Sequence, residues 1–182
     1  MSDHDPLHEQ LLELVGMPAG PPMAARDPVN QPMIRHWCDA IGDANPVYTD
    51  PQAAAASVHG EVIAPPTMLQ AWTMPGLGPR PTADEGEPDA NARLAQILAD
   101  AGLEAVVATN CEQVYRRELR LGDHLTVHAH IESVSEHKST ALGDGYFVTT
   151  TMTCVDQHGD EVATMRFRTL RYRPRSTDAR DG

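Results

Sequence analysis

Four long runs of strand-forming residues fill the second half of the chain, at 112–119, 124–135, 146–156 and 161–173. Turn residues separate them at 121–123, 143–145 and 157–160. In the second run, apolar residues from Leu125 to Ile131 alternate with polar residues from His124 to His130. In the last run the alternation changes phase, which predicts a bulge near Thr169. Short turns join antiparallel strands, so the pattern predicts an antiparallel sheet with one buried face.

The first half of the chain shows helical signals instead. An apolar stripe at helical spacing runs from position 34 to position 41, with Pro32 in the first turn and Gly42 directly after the stripe. Shorter helices are predicted at 7–15 and at 52–58, where Asp50 has the position of an N-cap. Helices followed by a meander of strands predict an α+β domain.

Length and composition indicate one domain. A chain of 182 residues with 41% hydrophobic and 22% charged residues can bury a core of ordinary size. We expect a single domain over 1–182, with an N-terminal helix and loop at 1–27, an insertion or lid at 79–103 and a polar tail at 174–182. Neither a bilayer-spanning stretch nor a signal-peptide pattern is present, which favours a cytoplasmic protein.

Charge and metal-ligand chemistry exclude several classes of function. The net charge of -12 argues against binding to nucleic acid or to an anionic membrane. Three widely spaced cysteines indicate neither a disulfide framework nor a zinc site. His124, His128 and His130 share one predicted strand face, but no carboxylate or thiol completes a ligand set. We therefore predict no metal.

Most of the positive charge lies in the second half of the chain. Residues 91–182 hold eleven of the fourteen lysines and arginines. Four arginines at the strands are candidates for holding the phosphates of coenzyme A: Arg116, Arg117, Arg166 and Arg168. The alternative is that these arginines form the solvated face of a strand.

A short signature follows the second predicted helix. It reads Gly42-Asp43-Ala44-Asn45-Pro46, with Tyr48 two residues later. This stretch resembles the hydratase motif of the MaoC-like (R-specific) enoyl-CoA hydratases, in which Gly-Asp-x-Asn-Pro is followed by His at the position of Tyr48. The resemblance implies that Asp43 is one member of a water-activating Asp and His pair whose second member is absent. The alternative is that Asp43 and Asn45 only cap the turn after the helix.

A second landmark occurs at residues 59–68, which read His-Gly-Glu-Val-Ile-Ala-Pro-Pro-Thr-Met. It resembles the Gly-x-x-Ile-Ala-Pro-Pro-Thr stretch of the N-terminal-type MaoC dehydratase domain, and the whole resemblance spans about residues 28–173. The family fold is the hot dog, an antiparallel sheet wrapped around a short central helix. The resemblance implies that this chain pairs into a double hot dog that binds acyl-CoA between its halves.

The resemblance also implies that catalysis is weakened at two places. In active relatives, backbone N–H groups at the start of the central helix stabilise the thioester oxyanion. Here Pro65 and Pro66 occupy that position, and proline has no N–H. The Tyr48 phenol is a poor base at neutral pH. We therefore expect a non-catalytic half, in which Asp43 is a remnant and a partner half supplies the catalytic pair.

The candidate substrate-binding residues lie in the two landmarks and the central helix: Asn45, Tyr48, Gly60, Pro65, Pro66, Thr67, Met68 and Trp72. Pro75 ends that helix after about two turns. A short helix leaves room for a bulky acyl group, with Leu69, Met74 and Leu77 as further apolar lining. Residues 79–103 then form either a mobile cover or an insertion packed on the outside.

Together, these features are most similar to the MaoC-like domain of the larger subunit in heteromeric hydratases that degrade steroid side chains as CoA thioesters, as in cholesterol catabolism. That resemblance implies a small MaoC-like hydratase subunit as partner, in a heterodimer or heterotetramer. In that family the larger subunit can continue into a separate zinc-ribbon and OB domain, through which a thiolase or aldolase would bind. No cofactor is expected, because coenzyme A is part of the substrate.

Two other functions remain open from the sequence. The chain is alternatively a self-sufficient homodimeric hydratase that uses Asp43 with an unrecognised second group. It is alternatively a non-catalytic acyl-CoA-binding protein. The first alternative predicts that Asp43→Asn abolishes turnover, and the second predicts binding without hydration under any condition.

Overall fold

The computed structural model describes residues 4–74 and 88–175. The helices are α1 (Pro6–Leu12), α2 (Gln31–Ile41), α3 (Pro51–Ala55), α4 (Leu69–Thr73) and α5 (Ala90–Asp100), with 3₁₀ turns at Pro46–Tyr48 and Pro66–Met68. The strands are β1 (Met23–Ala24), β2 (Ala105–Tyr115), β3 (Thr126–Val134), β4 (Lys138–Ser139), β5 (Gly143–Val155) and β6 (Glu161–Pro174). None of the helices in these two ranges is long and apolar enough to cross a membrane.

All six strands belong to one antiparallel sheet. Its order is β1-β3-β5-β6-β2, and β4 pairs with β5. The predicted runs at 124–135, 146–156 and 161–173 correspond to β3, β5 and β6. The bounds 112–119 were wrong, because β2 covers Ala105–Tyr115. Since β2 lies at the edge of the sheet, side chains on both of its faces are exposed, and the alternation that reveals a strand in a sequence is missing.

The predicted turn at 143–145 was also wrong, because Gly143 and Gly145 lie inside β5. A Cβ atom at either glycine would lie 1.9 Å from a backbone oxygen of β6, that of Arg173 or Arg171. These glycines therefore allow two strands to approach closely. The chain reverses just before them, where the backbone N–H and the hydroxyl of Thr140 donate to the Gly143 carbonyl.

The irregularity predicted near Thr169 lies on the neighbouring strand. β6 pairs with β5 without a break in this region, whereas the register between β2 and β6 shifts between Ala108 and Asn110. The extra residue is Thr109, whose hydroxyl donates to the Arg168 carbonyl at 3.1 Å. The assignment of the bulge to the last strand was therefore wrong, although the bulge lies directly opposite the predicted position, Thr169. A change in the alternation of apolar residues along β6 shows that a different face of the strand becomes buried. It does not show which of the two paired strands contains the extra residue.

Short helices cover the inner face of the sheet. Trp72 of α4 packs in one core cluster with Val127 of β3. Leu94 of α5 and Leu11 of α1 pack in a second cluster with Ile131, farther along β3. An antiparallel sheet around a short central helix is the hot-dog fold, so the predicted fold class is confirmed. The helix at the end of the 79–103 insertion packs on the sheet, while residues 79–87 lie outside the described part of the chain.

Capping residues fix the helices that lead to the signature. Asn30 Oδ1 accepts a hydrogen bond from the Met33 N–H at 3.0 Å at the start of α2. Gly42 ends α2 in the left-handed conformation, with φ 73°. Asp50 caps α3 as predicted, since its Oδ1 accepts from the Gln52 N–H at 2.8 Å. α1 and α3 are shorter than the predicted 7–15 and 52–58.

Candidate functional site

The signature forms a tight polar loop after α2. The Asp43 N–H donates to the Cys38 carbonyl at 2.9 Å, which closes the end of the helix. Asp43 Oδ1 then accepts from the Asn45 N–H at 3.0 Å, and Asn45 Oδ1 accepts from the Val47 N–H at 3.2 Å. Both side chains therefore order the loop, as expected if Asp43 and Asn45 cap the turn after the helix.

Tyr48 lies half-buried close to Asp43. Its side chain packs against two core clusters, and its carbonyl accepts a hydrogen bond from Gln31 Nε2 at 2.8 Å. Burial and the negative charge of Asp43 raise the pKa of the Tyr48 phenol above its ordinary value. Tyr48 therefore stays protonated at neutral pH and cannot take a proton from water.

The second landmark packs beside the signature. Val62 and Ile63 share a small core cluster with Val47 and with Ala54 of α3. Farther along, the Ala64 N–H donates to a carbonyl of the segment after β2 at 2.8 Å. The fold thus brings the two landmarks together, although 59–68 and the signature are separate in the sequence.

The central helix starts with few free backbone donors. Pro65 and Pro66 supply no N–H, and the Met68 N–H donates to the Pro65 carbonyl at 2.9 Å. No side chain caps this 3₁₀ turn. The start of the helix is therefore poorly equipped to stabilise a thioester oxyanion.

A small apolar cavity of about 190 Å³ lies beside this helix start. Its lining comprises Ala64, Pro66, Leu69, Tyr115, Arg116, Arg117, Glu118, Leu119, Val162 and Ala163. Pockets that enclose a drug-sized ligand measure roughly 300–1,000 Å³. The cavity of the single chain is therefore too small for a bulky acyl group.

The other candidate substrate-binding residues differ in position. Met68 and Trp72 are buried in the core, whereas Gly60, Thr67 and Met74 are exposed. Asn45 is exposed in the signature loop, Pro65 is buried, and Leu77 lies outside the described residues. Of the predicted acyl-binding residues, Pro66 and Leu69 line the cavity, and the candidate phosphate-binding residues Arg116 and Arg117 line it as well.

Three of the four candidate phosphate-binding arginines are already paired with carboxylates. Arg116 binds Glu161 at 2.9 Å, Arg117 binds Asp123 and Asp156 at 2.6 and 2.8 Å, and Arg166 binds Glu132 and Glu112. The fourth, Arg168, lies over the ring of Phe147 at 4.3 Å. Within residues 4–74 and 88–175, Arg168 has no carboxylate at ion-pair distance.

The Arg117 network is largely buried. The side chains of Asp123 and Asp156 are 10% and 6% exposed. Hydrogen bonds from Arg117 lower the pKa of Asp156 to about 2, and the two carboxylates raise the pKa of Arg117. On the outer sheet face, hydrogen bonds from Arg166 and Thr151 likewise lower the pKa of Glu132 to about 2. Arg117 and Arg166 are thus engaged by carboxylates of the chain and leave little positive charge for a ligand.

Sequence reasoning missed two features of this region. The ion pairs of Arg117 with Asp123 and Asp156 had no sequence signal, because the three positions meet only where strand ends converge. Tyr115, at the end of the edge strand, was also missed as a cavity residue. Its aromatic side chain at a strand end was the available signal.

Comparison with known proteins places this chain in a family. The model of the FAS1-like, dehydratase domain region matches residues 13–165. The chain is 47% identical over 182 residues to the probable enoyl-CoA hydratase alpha subunit of Thermomonospora curvata. It is 48% identical over 160 residues to the 3-oxo-4,17-pregnadiene-20-carboxyl-CoA hydratase alpha subunit of Mycobacterium tuberculosis. The chain therefore belongs to the FAS1-like dehydratase domain region family, which confirms the MaoC-like resemblance.

The alignments cover unequal shares of the proteins. They include 98% and 86% of this chain but 55% and 49% of the two relatives, so the chain spans about half the length of the curated relatives it matches. Among solved structures, a chain of the ChsH1-ChsH2 complex from Mycobacterium tuberculosis is similar, with 40% identity and a TM-score of 0.82. That match covers 94% of each chain.

Proposed function

We propose that this chain is the supporting half of a heteromeric 2-enoyl-CoA hydratase. The observation that carries the proposal is the pair at the signature: Asp43 orders its own loop, and beside it Tyr48 stays protonated where a catalytic His is needed. The prolines at the start of the central helix remove oxyanion donors in addition. A chain with this site needs its catalytic pair from elsewhere.

The partner half is a small MaoC-like hydratase subunit that pairs through the free edge of β2. This edge is eleven residues long, whereas β1, at the opposite edge of the sheet, has two residues. An unprotected long edge is a template for pairing with another strand. Val106 and Tyr115, near the two ends of β2, are 52% and 40% exposed on its inner side, and Tyr115 lines the apolar cavity. Pairing there would enlarge the cavity and cover this apolar surface.

The substrate is an enoyl-CoA with a bulky acyl group, for which we propose a steroid side-chain thioester. The relative from Mycobacterium tuberculosis carries a pregnadiene-carboxyl-CoA name, and the similar solved chain belongs to a two-component complex. The short α4 supports the same inference, since a helix of only five residues leaves space beside it on the inner face of the sheet. No separate cofactor is required because coenzyme A is part of the substrate. A cytoplasmic location stays a prediction from the sequence.

The reaction divides between the two halves. Water adds across the C2=C3 bond, so that its oxygen bonds to C3, one proton returns to C2 and the π bond breaks. The partner's catalytic pair moves the protons. In this chain, Pro66, Leu69 and Tyr115 contact the acyl group and exclude bulk water from it. Tyr48 and Asp43 hold the adjoining loop.

The proposal predicts that Asp43→Asn leaves turnover of the reconstituted complex within about threefold of wild type, because a structural carboxylate takes no part in proton transfer. Steady-state loss of enoyl-thioester absorbance measures this. The matched control is the same substitution at the signature aspartate of the partner, which is expected to lower kcat by at least about 100-fold. Loss of activity in the Asp43→Asn complex of the same size would assign the chemistry to this chain.

A further inference from the structure

A row of four polar side chains crosses the outer face of the sheet. Ser133 of β3, Thr149 of β5, Arg168 of β6 and Asn110 of β2 are successive cross-strand partners. Directly paired residues of antiparallel strands point to the same face, so the four side chains project together. They line one groove with a volume of about 470 Å³. This volume is within the range of ligand pockets.

Arg168 carries the positive charge of this row. Its guanidinium lies 4.3 Å from the centroid of the Phe147 ring, which fixes the orientation of the side chain. The neighbouring Arg166 is paired with Glu132 and with Glu112, so these three side chains together carry one net negative charge, and Arg166 and Glu112 also line the groove. Those two carboxylates are thereby occupied, and the described chain supplies no further carboxylate at ion-pair distance from Arg168. Arg168 is left with its hydrogen-bond donors available to a ligand.

The other three members of the row add neutral donors. The side chains of Asn110, Ser133 and Thr149 make no hydrogen bond to another residue in the described ranges, yet all line the groove. Thr149 is only 8% exposed, which restricts its hydroxyl. Two hydroxyls and an amide around one guanidinium provide donors on several sides of a tetrahedral anion.

We propose that this outer-face groove binds a phosphate monoester, with Arg168 as its principal anchor. A guanidinium matches two oxygens of a phosphate, and the hydroxyl and amide donors satisfy the remaining oxygens. The groove lies on the opposite face of the sheet from α4, so it is separate from the apolar cavity. The proposal does not depend on the hydratase function. Two sources share this chemistry: a free phosphate ester and the 3′-phosphate of coenzyme A.

Calorimetric titration of the full chain with adenosine 3′,5′-bisphosphate tests this site. We expect saturable binding that Arg168→Gln weakens by at least about tenfold, because the charge-assisted hydrogen bonds are lost. Arg120→Gln is the matched control, since Arg120 is exposed, paired with Glu61 and lines neither the groove nor the apolar cavity. Unchanged far-UV circular dichroism and thermal unfolding of both variants would establish that they are folded.

Further titrations distinguish the sources of the phosphate. Competition of coenzyme A with adenosine 3′,5′-bisphosphate at the Arg168-dependent site would identify the thioester as the source. Equal binding of glycerol 3-phosphate, without competition by coenzyme A, would identify a free ester. Absence of binding at millimolar concentration, or binding that Arg168→Gln weakens no more than Arg120→Gln does, would overturn the proposal.

Discussion

Introducing Ala108→Lys and Cys111→Lys together is expected to abolish association with the partner half and, with it, hydratase activity. Both residues are exposed on the inner side of β2, the long free edge of the sheet. Pairing at this edge would bury two ammonium groups without countercharges. We expect the Kd of the complex to rise by at least about 100-fold, as measured by sedimentation velocity of the mixed subunits.

His128→Lys provides the control for this experiment. His128 is also exposed, but it lies on the outer face of β3, which is flanked by β1 and β5. A lysine there adds one of the two positive charges of the double variant, but away from the free edge, so the Kd is expected to stay within about twofold. Wild-type association of the double-lysine variant, or an equal loss in both variants, would rule out β2 as the interface.

Arg117→Ala is expected to lower the free energy of unfolding by about 3 kcal/mol. The substitution leaves Asp123 and Asp156 close together, nearly buried and without their shared cation. We expect a loss at the low end of the range for broken buried ion pairs, because the Arg117 side chain is 31% exposed. Urea denaturation followed by tryptophan fluorescence measures the effect.

Arg116→Ala is the matched control, since its ion pair with Glu161 has side chains that are 58% and 40% exposed. Its expected loss is below about 1 kcal/mol. Equal destabilisation by the two variants would contradict a structural role for the buried network.

The same network gives stability a defined pH dependence. Arg117 lowers the pKa of Asp156 in the folded state to about 2. The stability that ionised Asp156 adds is therefore fully present above the pKa of an aspartate in the unfolded chain, about 3.9. The contribution is lost as pH falls from about 4 through about 2. Stability of the Arg117→Ala variant is therefore expected to fall less steeply in this window than that of the wild type.

The sequence predicted those parts of the fold that depend on local pattern. The α2 stripe, its Gly42 end, the Asp50 cap and the alternation in β3 all follow from spacing within a few residues. The start of β2 did not follow, because an edge strand has no covered face to impose alternation. The pattern predicts a turn at Gly143 and Gly145 where a strand runs, since glycine is typical both of tight turns and of close backbone contacts.

The candidate site was only partly accessible from the sequence. Family resemblance located Asp43, Tyr48 and Pro66, and chemistry alone indicated that a phenol is a poor base. The sequence could not reveal that Met68 and Trp72 face the core, since a short apolar helix does not show which side lines a cavity. Nor could it separate the paired arginines from Arg168, because their carboxylate partners come from distant strands.

If this chain supports a catalytic pair carried by another subunit, hydration depends on mixing the two subunits. The loss of enoyl-thioester absorbance measures this when a steroid side-chain enoyl-CoA is added to the purified chain alone and to its mixture with the small hydratase subunit. We predict hydration in the mixture and none above background with the chain alone. Turnover by the chain alone that disappears in Asp43→Asn would contradict the claim and identify a self-sufficient hydratase.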